Sequence, residues 1–167
     1  MDRDTLRATQ APLKDQYRSD AGSAAVTLAA TGTLGGAGIA CSVQTGRALV
    51  EAGLHPASGG DGTQACSGDM LLEALVACAG VTLRSVATSM EVDVRSGTVR
   101  AEGDLDFRGT LGVSKEAPVG LRDVRLSFEL DTDAEPATVD KLIELTERYC
   151  VVAKSLATPP VIEVVRG

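Results

Sequence analysis

A chain of 167 residues fits one domain and can bury a substantial core. Its net charge of −7, with 2% aromatic residues and no Trp, excludes a cationic face for nucleic acid or anionic membrane and a stacking platform for bases. The opening stretch, MDRDTLRATQAPLKDQYRSD, is polar and carries no signal-peptide pattern, so the expected location is the cytoplasm.

Residues 1–22 read as a polar N-terminal arm with a short helix, and residues 23–167 as a single domain. AAVTLAATGTL (24–34), IACSVQTG (39–46) and RALVEAG (47–53) have strand character, and GGAG (35–38) is a turn, which predicts a three-strand antiparallel meander. LHPASGGDGTQACSG (54–68) is a Gly-, Ser- and Pro-rich loop. GGDGT within it lacks the Lys and Ser/Thr of a phosphate loop and is a plain turn.

GDMLLEALVACAGVTLRSVATSM (68–90) follows as one long helix, with Ser67 or Asp69 as candidate cap. Its apolar residues cover most of the circumference, which predicts burial on several sides, between a sheet and a partner. Asp69, Glu73 and Arg84 interrupt it, which argues against a membrane span. Alternating strands are predicted at 92–109 and 121–132, a mobile Gly- and Pro-containing connection at 109–120, and an amphipathic helix at 134–149 with Pro136 in its first turn. CVVAKSLA continues or restarts that helix, and TPPVIEVVRG is a last strand. The order predicts an α+β fold with an antiparallel sheet on one side.

Cys41, Cys66, Cys78 and Cys150 show no C-x-x-C spacing, and His55 is the one histidine, so neither a disulfide framework nor a structural metal site is expected. Cys78, in the middle of the long helix, is either a small hydrophobe or a reagent. On that helix, Asp69 and Glu73 point away from it, and Thr82, four residues on, is the polar residue that shares its face. A charged partner must therefore come from another element or another subunit, with Arg47, Arg84 and Arg148 as candidates by residue type. Cys150 sits at a helix joint, where a helix N-terminus can depress its pKa. His55 is the single available imidazole base for a nucleophile.

The loop GGDGTQACSGD, the helix LLEALVACAGVTL and the later ERYCVVAKSL resemble the OsmC/Ohr family over about residues 24–166. Members carry a P-x-E-L-L-x-x-A-L-x-x-C helix and a second cysteine in a Y-C-x-V or C-P-V-S context; Cys78 falls on the first and Cys150 on the second. The resemblance implies an OsmC-like fold, an antiparallel sheet wrapped around a long central helix, in an intertwined homodimer. It also implies a cofactor-free thiol peroxidase for organic hydroperoxides, regenerated by a thiol reductant. Cys78 would be the peroxidatic thiol and Cys150 the resolving one. Where the peroxidases carry P-E-E/Q, this chain has Ser67, Gly68 and Asp69, and the turn that supplies the family's Arg is Gly35-Gly36-Ala37-Gly38. Asp69, and Arg47 or Arg84, stand as replacement candidates for the activating pair, and Cys66 as a third thiol. The rival expectation keeps the fold but has little turnover: a redox-sensing or small-molecule-binding dimer.

Overall fold

The computed structural model describes residues 2–5, 8, 11, 19, 32–34, 40–45, 48–111 and 114–166. Most of the N-terminal arm, Arg47, and the Gly35–Gly38 turn lie outside them. One sheet holds β1 (Gly32–Leu34), β2 (Ala40–Thr45), β3 (Ala48–Gly53) and the short β4 (Ala65–Cys66), in that order. β1–β2 and β2–β3 pair antiparallel, as the meander pattern predicts, and β4 lies parallel to β3.

The central helix α1 (Ser67–Met90) follows at once. Neither Ser67 nor Asp69 caps it: Cys66 occupies the N-cap position and no side chain bonds there. A second sheet comprises β5 (Ser96–Asp104), β6 (Arg122–Asp131) and β7 (Val161–Arg166). β5 and β6 are antiparallel, but β7 runs parallel to β6, so the antiparallel expectation needs this correction. The physical reason is the connection: α3 (Pro136–Tyr149) and α4 (Val151–Ser155) carry the chain back across the sheet before β7. A short turn of helix, α2 (Phe107–Thr110), sits in the β5–β6 connection.

The core forms where α1 crosses the second sheet under α3. Leu75, Ala79, Leu83 and Ala87, spaced by four, are buried against Leu126, Phe128 and Leu130 of β6 and Val139 and Leu142 of α3. Burial of each Leu or Phe in this set contributes about 1.5–3 kcal/mol. The stripe covers one side of α1 only. Val81 remains 72% exposed, and Ala74 and Ala77 are exposed beside it. By length and composition alone α1 could span a membrane, despite its internal charges, and 22% of its most apolar window is buried within the chain. Arg84 is accommodated by donating to the Val94 carbonyl at 2.5 Å.

α1 ends at Glu91, which takes a left-handed conformation (φ 58°) to donate its N–H to the last turn. That region costs an L-residue about 1–2 kcal/mol. Glu91→Gly is therefore expected to stabilise the fold by about 1 kcal/mol, or ~2–4 °C in Tm by calorimetry, net of an exposed ion pair with Arg3.

Candidate functional site

Three elements bring two cysteines together. Cys78 lies mid-way along α1, half-buried between the covered stripe and the exposed one. Cys150 lies at the break between α3 and α4, with an extended backbone (φ −71°, ψ 104°) and 1% exposure. The break is held on both sides. Cys150 donates its N–H to the Thr146 carbonyl at 2.9 Å, and its own carbonyl accepts from Lys154 at 3.1 Å. Thr146, also buried, donates its hydroxyl to the Leu142 carbonyl at 2.7 Å.

The two thiols face one another with opposite electrostatics. Burial by itself pushes the Cys78 thiol up. It is outweighed by the Val152 N–H, the Cys150 thiol, the Thr82 hydroxyl and the Val151 N–H, which together hold Cys78 below the ordinary thiol value. Burial pushes Cys150 up; the Ala153 N–H offsets part of this, and the neighbouring Cys78 sulfur raises it further. Cys78 is thus the more readily ionised thiol of the pair, and Cys150 the one that more readily keeps its proton.

The helix joint was expected to depress Cys150. The Ala153 and Val152 N–H groups do pull that way, but burial and the neighbouring Cys78 sulfur outweigh them, and the Val152 and Val151 N–H groups of the same turn also serve Cys78. These backbone donors are the part of the site that residue types cannot announce; the one signal was the joint itself. Thr82, picked out by its i+4 spacing, does reach the thiol.

The main stabilisers of Cys78 are neutral groups. Asp69 starts nine residues earlier, ~13 Å along the axis, and lines a separate groove with Leu72, Glu73 and Val76. Arg84 is committed to Val94, and Arg148 packs 5.5 Å from the Tyr149 ring centroid. Arg47 lies outside the described residues. Cys66 precedes Cys78 by twelve residues, ~18 Å of helix, beyond the roughly 4.4–6.8 Å Cα separation of a disulfide within one chain. His55 is engaged elsewhere: its Nδ1 accepts from the Ala57 N–H at 3.0 Å and its ring stacks on Phe107 at 5.1 Å. Among the described residues no cluster suited to a metal ion occurs.

Because thiolate is the reactive form, alkylation of Cys78 should begin at lower pH than that of an ordinary thiol. Thr82→Val removes one donor to the thiolate, so the midpoint moves upward. At neutral pH iodoacetamide should then react roughly two- to tenfold more slowly, the worth of one hydrogen bond, as read by peptide mass.

Known structures share this architecture. An OsmC-like protein from Vibrio cholerae superposes with TM-score 0.69 at 18% identity, covering 84% of this chain and 100% of that one. The OsmC-like protein of Mycoplasma pneumoniae gives 0.66 at 13% identity, covering 85% and 95% respectively. The organic hydroperoxide resistance protein OhrB of Bacillus subtilis gives 0.57 at 16% identity, covering 85% and 98%. At these identities the likeness establishes the fold. No curated protein matches the chain significantly in sequence. The sequence profile of the OsmC-like protein family matches residues 60–165. That stretch is well over half of the chain and holds α1, both facing thiols and the last strand, so the chain belongs to the OsmC-like protein family.

Proposed function

We propose that this protein is a cysteine-based peroxidase that reduces organic hydroperoxides in oxidative-stress defence. The observation that carries the reading is the facing pair of thiols with opposite pKa shifts. The Cys78 thiolate attacks the distal peroxide oxygen and breaks the O–O bond. The alkoxide leaves as the alcohol once protonated, and Cys78 becomes a sulfenic acid. The Cys150 sulfur then displaces hydroxide from Cys78, its proton completing a water molecule, and a disulfide forms. A dithiol restores both thiols by exchange. The Val151 and Val152 N–H groups support negative charge on the attacking sulfur.

The working form is a homodimer. Ala74, Ala77 and Val81 make an exposed apolar stripe flanking Cys78, and a second copy of α1 is the natural cover for it. The closed cleft so formed favours alkyl hydroperoxides over hydrogen peroxide, and no cofactor is needed for either step. A cytoplasmic setting, which keeps resting thiols reduced, fits this cycle.

Steady-state consumption of cumene hydroperoxide with a dithiol as reductant tests the reading. Turnover that requires Cys78 supports it. A second reading, a redox-sensing or small-molecule-binding dimer with little turnover, is favoured by the neutral surroundings of Cys78. It predicts stoichiometric oxidation without sustained consumption.

A further inference from the structure

A second cavity lies at the N-terminal end of α1, away from the thiol pair. Its volume is about 390 Å³, within the roughly 300–1,000 Å³ of small-molecule sites. Leu71, Leu105, Phe107 and Leu121 supply apolar walls. Leu71 precedes Cys78 by seven residues, so the cavity sits ~10 Å along the helix from the reactive sulfur. It is a distinct site rather than the mouth of the thiol pair.

The polar side chains lining the cavity are His55, Ser58, Cys66, Ser67 and Thr110, and the Ser58 hydroxyl is spent on the His55 carbonyl at 2.9 Å. No Lys, Arg, Asp or Glu is among its described lining residues, so neither an anion nor a cation finds a counter-charge there. His55 provides the directed contact. Its Nδ1 accepts from the Ala57 N–H at 3.0 Å, which leaves Nε2–H as the ring's donor. The ring lies nearly parallel to Phe107, 23° between planes, which fixes its orientation and makes one wall aromatic. Cys66 lines the same cavity and remains a half-buried free thiol.

We infer that this cavity is a binding site for an uncharged, mainly aromatic or alicyclic small molecule carrying a hydrogen-bond acceptor, such as a ketone, that accepts a hydrogen bond from the His55 Nε2–H. The apolar walls supply affinity, and the imidazole donor, held in one orientation by Phe107, sets the pose, with the Ser67 and Thr110 hydroxyls at the same lining. The site is independent of the peroxidase reading, since it shares no residue with the Cys78–Cys150 pair.

The test uses the full chain and prodan, a neutral naphthyl ketone whose emission reports polarity. The expected result is saturable binding, one per chain, with blue-shifted emission and a Kd of ~1–100 µM. Bound prodan should slow alkylation of Cys66, a reporter inside the cavity. A β-carbon at Gly68 would meet Cys66 Sγ and Leu105 Cδ1 at 3.6 Å, ordinary contact, so Gly68→Leu should fold while filling the cavity. It should weaken binding at least about tenfold, one methylene-rich side chain displacing the probe. His55→Phe keeps the stack but loses the donor and should weaken binding roughly three- to tenfold. Cys78→Ser should bind prodan as the wild type does. Absence of saturable binding overturns the inference. So does binding unchanged in both cavity variants, or binding lost in Cys78→Ser, which would move the probe to the thiol pair.

Discussion

Cys78→Ser is expected to lower hydroperoxide consumption by about three orders of magnitude or more, because a serine hydroxyl is not ionised near neutral pH and cannot replace a thiolate. Cys150→Ser should behave differently. Cys78 keeps the Val151 and Val152 N–H groups and the Thr82 hydroxyl, so its first attack on peroxide persists. The sulfenic acid then has no partner. It should be trapped by dimedone in the first turnover and, with excess peroxide, advance to the sulfinic acid. Stopped-flow consumption with mass analysis of the Cys78 peptide separates the two variants. Equal residual rates in both would mean that the two thiols do not hold separate roles.

Val81→Glu should convert a dimer into a monomer. Val81 is 72% exposed in the single chain and lies on the same face of α1 as Ala74 and Ala77. If a second copy covers that face, a carboxylate there is buried without a partner, at a cost of several kcal/mol. Light scattering should give the wild type about twice the 17.1 kDa chain mass and the variant close to one chain. Hydroperoxide turnover should then fall with the dimer, since Cys78 adjoins that stripe. A monomeric wild type, or a variant that stays dimeric, would remove the second copy from the site.

The elements that carry the site were readable because their patterns are local. The apolar run through Leu75, Ala79, Leu83 and Ala87 announces a buried helix, and Pro136 marks the first turn of α3. Thr82 was found from Cys78 by helical spacing alone. The parallel setting of β7 was not readable, because strand direction follows from the crossover through α3 and α4 rather than from alternation in Val161–Arg166. The activation of Cys78 was hidden for a related reason. Its donors include the backbone N–H groups of Val151 and Val152, over seventy residues away in the chain, and apolar residue names give no hint that their main chain serves a sulfur. Of the charged candidates, Arg84 and Arg148, suggested by residue type, are engaged elsewhere, and Asp69, suggested by the resemblance, lies too far along the helix.

The most direct measurement is a peptide map of fully reduced protein after one equivalent of cumene hydroperoxide per chain. The facing thiols predict a mass lower by two hydrogens and a single disulfide joining Cys78 to Cys150, with Cys66 still free. An unchanged mass with both thiols alkylatable, or a disulfide that engages Cys66 instead, would contradict the assignment of Cys78 and Cys150 as a reactive pair.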